Sequence, residues 1–210
     1  MKFKNTLTLF YKVLLLFNYF LIFIQTNKFH LMKNIFFAFF TLLFLVSCNK
    51  SETVQTVKIK NQYSIELPES LSKTNDLNDD ASLQYQNLYD EFYIIVIDEK
   101  TTEIDDLFTT LNKKLGLTSY VDFIKTDYEK GMKSPVFSGI KKGKIHGLES
   151  QIISISGRYE NMEVFYKIAF LKSEKYYYQV MLWTLLDKKE EHEKEMDKVI
   201  ASFKEIKTVK

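Results

Sequence analysis

Cysteine and tryptophan occur once each in the 210 residues, proline twice and glycine six times, and Arg158 is the single arginine. A lone cysteine excludes an intrachain disulfide and any thiolate cluster for zinc. Two prolines and six glycines are too few for low-complexity linkers. No G-x-S-x-G elbow, glycine-rich phosphate loop or H-E-x-x-H helix occurs, so the motif-bearing hydrolases, nucleotide-binding loops and zincins are excluded. His146 and His192 lie far apart with no His-x-His or cysteine partner, so the sequence offers neither a metal site nor a cofactor site. Acidic residues are missing altogether before Glu52, where apolar runs take their place.

One of those runs ends at the cysteine. Residues 35–46 (IFFAFFTLLFLV) are almost wholly apolar and follow a short basic stretch, Met32-Lys33-Asn34. Twelve residues are too few to span a bilayer as a mature helix, which needs about 20. Leu45-Val46-Ser47-Cys48 follows the L-[ASTVI]-[GAS]-C pattern of lipoprotein signals, with a small residue before the cysteine and polar residues after it. We read 32–47 as a lipoprotein signal peptide and Cys48 as the acylated first residue of the mature chain. The alternative is a buried cysteine closing a transmembrane helix. Asparagine, not aspartate, follows Cys48, so inner-membrane retention is not indicated. The expected location is the cell envelope, lipid-anchored and with the outer membrane favoured, the domain facing periplasm or medium. A second apolar run at 13–24 reads as upstream sequence translated ahead of a start at Met32, the alternative being a two-segment hairpin anchor.

Without residues 1–47 the chain loses five lysines and no acid. Residues 48–210 then hold 24 basic and 27 acidic residues, a net charge of −3 in place of +2. That argues against a polyanion-binding protein such as a nucleic-acid binder, which would carry a basic stripe. These 163 residues suit one domain with its own core, expected at 57–206 behind a tether at 48–56.

Period-two patterns predict strands at 57–60, at 63–67 (stopped by Pro68) and at 81–86, the last with one wet face. Residues 92–97 are apolar on both faces and so should lie centrally. Ile104, Leu107, Phe108, Leu111 and Leu115 predict a helix stopped by Gly116, and Ser119 with Asp122 a capping box for a second helix. Strands at 136–141 and 144–156 should flank a Lys142-Gly143 hairpin, with Gly147 at a bulge. Strands at 163–171, with Val164, Tyr166, Ile168 and Phe170 on one face, and at 176–184, with Trp183 buried, continue an antiparallel meander. Asp187 and Glu190 predict a capping box for a closing helix, solvated at first and then packed through Met196, Val199, Ile200, Phe203 and Ile206. The expected class is α/β (α+β), a mainly antiparallel sheet with helices on both faces.

Three stretches carry a resemblance: YSIELP at 63–68, Ile145-His146-Gly147-Leu148-Glu149 in the meander, and Val199-Ile200-Ala201-Ser202-Phe203 in the closing helix. They resemble the PsbP-like α/β/α fold shared by photosystem II extrinsic proteins, Ran-release factors and many small bacterial lipoproteins. The resemblance covers about 57–206. It implies the fold and no single activity, because that family's roles run from scaffolding to cargo chaperoning and ligand binding.

The sequence therefore points to a non-catalytic binding or accessory subunit of an envelope complex. Its partners would be membrane lipid, through acylated Cys48, and an envelope protein. The alternative is an envelope hydrolase with dispersed carboxylates such as Asp122 and Asp127. Arg158 is either a bidentate anion contact or an exposed turn residue. Lys141, Lys142 and Lys144 either touch lipid headgroups or guard a sheet edge. Tyr176, Tyr177 and Tyr178 either line a groove or are ordinary strand residues.

Overall fold

A computed structural model describes residues 53–206. The alternating stretches pair as the expected meander: β8 (Leu148–Tyr159), β9 (Met162–Lys172) and β10 (Tyr176–Leu185) are antiparallel neighbours. β5 (Phe92–Lys100) joins the free side of β10, so the doubly apolar run is central, with Ile94, Ile95 and Val96 buried. β4 (Leu83–Asn87) and the two-residue β3 (Ser72–Lys73) extend the sheet beyond β5. At the opposite edge β6 (Lys133–Phe137) and β7 (Lys141–Ile145) pair with successive parts of β8 and complete eight strands.

The first hairpin leaves this sheet. β1 (Val54–Ile59) starts ahead of the visible alternation and pairs with β2 (Tyr63–Pro68), which also pairs with β11 (Lys204–Glu205). These three strands form a second sheet, packed with α3 (Lys189–Ser202) on one face of the main sheet. α1 (Thr101–Thr110) and α2 (Leu117–Gly131) cover the other face. Side-chain alternation divides the strands between two cores as expected. Val164, Ile168 and Phe170 enter the core beneath α1 and α2, while Phe165, Ala169 and Leu171 enter the one beneath α3 and β2. Tyr63, Tyr178 and Phe203 close the latter with ring centroids 4.9–5.7 Å apart. Each fully buried side chain of this kind stabilises by about 1.5–3 kcal/mol before conformational entropy is counted.

Element boundaries depart from expectation where local backbone geometry outweighs pattern. α1 stops at Thr110, not Gly116, because Asn112 takes a left-handed φ of 52° and builds a Schellman cap. The Lys113 N–H donates to Phe108 O (2.8 Å) and the Asn112 N–H to Thr109 O (3.1 Å), which leaves Leu111 and Leu115 outside the helix and exposed. α2 begins at Leu117, since Gly116 enters it at φ 115°, and the expected Ser119 box lies inside the helix. The hairpin turn falls at His146-Gly147, not Lys142-Gly143. Both turn residues have positive φ (45° and 88°), as a two-residue turn between twisted strands requires, and Gly143 is an ordinary strand residue. A 3-10 turn (Leu186–Lys188) leads into α3, so Asp187 and Glu190 form no capping box. α3 ends at Ser202, because Phe203 adopts an extended ψ of 126° and feeds β11.

Three burial expectations also change. Gln84, on the supposed wet face of β4, is buried: its Oε1 accepts the Leu77 and Asn78 N–H groups and its Nε2 donates to Asn78 O at 2.7 Å. His192 and Glu195, in the turns of α3 expected to be solvated, are buried as well. Trp183 is half-buried, at a point on the sheet that α1 and α2 cover incompletely.

Candidate functional site

Because the strands are antiparallel, the β4–β5 turn, the β8–β9 turn, the exit of β10 and the start of β6 all fall at one end of the main sheet. Leu88, Tyr89, Val136, Tyr159 and Met162 gather at or near this hairpin end, five of the nine large apolar side chains exposed among the described residues. Leu88 and Tyr89 lie on the β4–β5 turn, whereas Val136, Tyr159 and Met162 lie on β6, β8 and β9, beyond β10 in the sheet.

Two shallow grooves lie beside Val136 and Met162. One, of about 490 Å³, is lined by Lys133, Ser134, Val136, Ser156, Gly157, Arg158, Glu163 and Leu186. The other, of about 530 Å³, is lined by Met162, Glu163, Leu185, Leu186 and Asp187. At Gly157, in the lining of the first, the backbone of β6 passes close to the place a Cβ would occupy. Arg158 stands at the end of β8 opposite Glu163, and its Nη2 donates to Glu163 Oε1 at 3.1 Å. The arginine is exposed, but its charge already faces a carboxylate, so it is no ready-made anion site.

The β4–β5 turn is held from several directions. Asn87 Oδ1 accepts the N–H groups of Tyr89 (3.0 Å) and Asp90 (3.1 Å), and its Nδ2 donates to Asp90 Oδ2 (2.7 Å). From α3, His192 donates its Nε2 proton to Asp90 O at 3.0 Å while its ring stacks on Phe92 at 4.7 Å. Lys188 Nζ reaches Tyr89 O at 3.4 Å.

Behind this end runs a row of aromatic rings. Tyr93 and Trp183 stack at 5.2 Å, Trp183 and Tyr166 at 5.9 Å, and Tyr128 of α2 lies 5.8 Å from Tyr166. Burial pushes Tyr93 up to about 12, helped by the hydrogen bond its hydroxyl gives Glu91, and burial also pushes Tyr166 up to about 12. Neither phenol is a base at neutral pH. Deeper in, Gln179 Nε2 donates to the Tyr120 hydroxyl (2.8 Å), and that hydroxyl donates to Glu99. Burial, then the charge of Glu99, raises Tyr120. This cluster lies between sheet and helices, where it satisfies polar atoms and holds α2 in place.

The residues singled out from sequence do not converge. Cys48 lies outside the described residues. His146 is on the β7–β8 turn at the opposite end of the sheet, and His192 is on the buried face of α3, against the β4–β5 turn. Asp122 and Asp127 are exposed on α2 and line neither groove. Lys141, Lys142 and Lys144 are exposed along β7, an edge strand. Tyr177 and Tyr178 are fully buried on opposite faces, and Tyr176 packs beside Tyr178. Among the described residues no group of three or more His, Cys, Asp or Glu could hold a metal, and no helix is long and apolar enough to cross a membrane. The Leu88-Tyr89 turn went unnoticed in the sequence, although Asn87 and Asp90 around it have the spacing of a side-chain-stabilised turn.

No protein-family model matches the chain, and no curated protein matches its sequence. Solved structures do match. Cyanobacterial PsbP (CyanoP) from Synechocystis sp. PCC 6803 superposes with a TM-score of 0.52 at 14% identity, over 77% of this chain and 98% of that one. LpqN of Mycobacterium tuberculosis, described as involved in cell envelope biogenesis, gives 0.50 at 9% identity, over 74% and 91%. PA94 of Pseudomonas aeruginosa, a protein of unknown function, gives 0.44 at 13% identity, over 71% and 94%. The first two likenesses carry the conclusion, which concerns architecture: residues 53–206 have the PsbP-like α/β/α sandwich fold.

Proposed function

We propose that this chain is a lipid-anchored envelope protein that binds a protein partner through the grooves of the hairpin end and turns over no substrate. The observation that carries the reading is a pair of open grooves that share Glu163 and Leu186, one lined by exposed Val136 with Lys133 and Arg158, the other by exposed Met162 with Leu185 and Asp187. An apolar centre with a polar, solvent-accessible border is the anatomy of a protein interface. The signal-like Leu45-Val46-Ser47-Cys48 supports acylation of Cys48 and placement at the outer membrane, with the domain on the periplasmic or outer side. Anchoring raises the effective concentration toward neighbouring membrane complexes, so a modest interface suffices. The envelope role described for LpqN, which shares the fold, agrees with this assignment. The hydrolase alternative draws no support from Asp122 and Asp127, which stand outside both grooves.

Photocrosslinking in native membranes tests the proposal, with the reactive side chain placed at Met162. The expected result is one reproducible protein adduct that disappears with Val136→Asp and with Cys48→Ala. Absence of any adduct, together with turnover of a small molecule abolished by Asp122→Asn or Asp127→Asn, would establish the hydrolase instead.

A further inference from the structure

We infer that the hairpin end is the membrane-proximal end of the domain, and that Leu88 and Tyr89 enter the headgroup layer of the bilayer that holds Cys48. This rests on the anchor reading of Cys48 and adds an orientation to it, with a second contact on lipid. The grooves are then held at bilayer level, where a partner embedded in the same membrane would meet them.

The path of the chain is the first support. Thr53 O accepts the Glu69 N–H at 2.9 Å, and Gln55 Nε2 donates to Pro68 O (3.3 Å) and Leu71 O (3.0 Å). β3 follows at once and pairs Ser72 with Gln86, next to the last residue of β4. The chain thus enters the domain beside the β4–β5 turn. The other end of β2 points the opposite way, where Gln62 Nε2 donates to Asp98 Oδ2 at 2.7 Å. Four residues separate Cys48 from Thr53, so five Cα-to-Cα steps give a reach of at most about 18 Å. A domain of this size has a radius of gyration of about 15 Å. Such a tether is too short to let the far end turn toward the bilayer.

The turn itself is the second support. Tyr89 is 91% exposed and Leu88 66%, on a backbone fixed by Asn87, His192 and Lys188. Little ordering entropy remains to be lost when a surface receives them. A tyrosine beside a leucine suits the membrane interface, where the ring lies among acyl ends and the hydroxyl among headgroups. The adjacent acids are tied back to the protein: Asp90 Oδ2 accepts from Asn87 Nδ2, and Glu91 Oε2 accepts from the Tyr93 hydroxyl at 2.8 Å.

The test uses the full chain, processed in a bacterial host and reconstituted into phosphatidylethanolamine–phosphatidylglycerol vesicles, with or without acyl-brominated lipid. In a Trp183→Phe background, Tyr89→Trp is compared with Lys144→Trp, which lies on β7 toward the opposite end, and Leu88→Trp serves as a second reporter. The expected result is a blue shift and loss of emission at positions 89 and 88 in brominated vesicles, with emission at 144 unchanged. If intact mass shows acylated Cys48 and the protein floats with the vesicles, but positions 88 and 89 are unshifted or quenched no more than 144, the orientation is wrong and the anchor stands. If intact mass shows no acyl addition at Cys48, both readings fall together.

Discussion

Lys167 is a buried cation on a strand, and its surroundings dictate how the protein should respond to losing it. It lies on β9 between Phe165 and Ala169, facing the core beneath α3, with its side chain only 5% exposed. Its ammonium sits 2.5 Å from Asp197 and 3.5 Å from Glu193, whose side chains are 57% and 38% exposed. Desolvating an ammonium costs several kcal/mol, and a well-placed counter-charge offsets the cost without leaving much surplus. Water reaches both carboxylates and screens them, so either alone is worth about 1 kcal/mol or less. Asp197→Asn or Glu193→Gln should therefore cost little, and the double substitution about 3–5 kcal/mol, because it leaves the ammonium buried and uncompensated. Lys167→Met keeps the stem and removes the charge, so it should shift stability by no more than about 1.5 kcal/mol in either direction. Added to the double substitution, it should recover most of the loss. Urea unfolding of residues 51–210, expected to be soluble and folded without leader or lipid, gives each value from the midpoint at constant slope. The reasoning is refuted if Lys167→Met alone costs as much as removing both carboxylates, or if it fails to rescue their removal.

Alkaline pH should unfold the protein through its tyrosines. Tyr93 and Tyr166 are pushed up to about 12, and burial raises Tyr63, Tyr120 and Tyr178 as well, whereas in the unfolded chain all ionise near 10. The native state holds more protons there, so stability is intact below pH about 10 and falls as pH rises through about 12. Tyrosinate absorbance that reaches completion while circular dichroism stays native would contradict this. Gly157→Ala should cost about 1–3 kcal/mol by overpacking, since its Cβ would stand 2.9 Å from Met132 Cε, 3.2 Å from Pro135 Cα and 3.3 Å from Lys133 O. Gly143→Ala, which meets only Ser150 Oγ at 3.8 Å, is the matched control and should unfold at nearly the wild-type urea midpoint. Trp183→Ala should cost less than the roughly 3–5 kcal/mol of a fully buried tryptophan, and acrylamide should quench native Trp183 in part, not fully.

How far each element was legible depended on whether its cause is local. β9 and β10 could be read because two cores demand strict alternation, and β5 because burial on both faces leaves no polar position. Helical spacing at Leu107, Leu111 and Leu115 misled, since a left-handed Asn112 ends α1 before the last two residues can use it. Lys142-Gly143 looked like a turn, yet the pairing register of β7 with β8 places the turn at His146-Gly147. The departure of β1 and β2 into their own sheet rests on long-range contacts such as the Glu66 N–H donating to Ser202 Oγ at 2.9 Å, which no local pattern records. The same holds for the hairpin end. Leu88, Tyr89, Val136 and Met162 belong to no motif, and they matter only because strand ends bring them together.

The pairing of β5 with β10 has a kinetic consequence. The two strands meet at the centre of the sheet, but partners such as Lys100 and Tyr176, or Tyr93 and Trp183, are 76 to 90 residues apart in the chain. Closing a loop of that length costs entropy before any core contact rewards it, which slows folding relative to local hairpins. On the ribosome, β4, β5 and α1 must wait for β10, and the core beneath α3 must wait for nearly the last residues of the chain. The local hairpins β4–β5 and β8–β9 can pair as they emerge, but the sheet closes only after β10 has been made, late in synthesis.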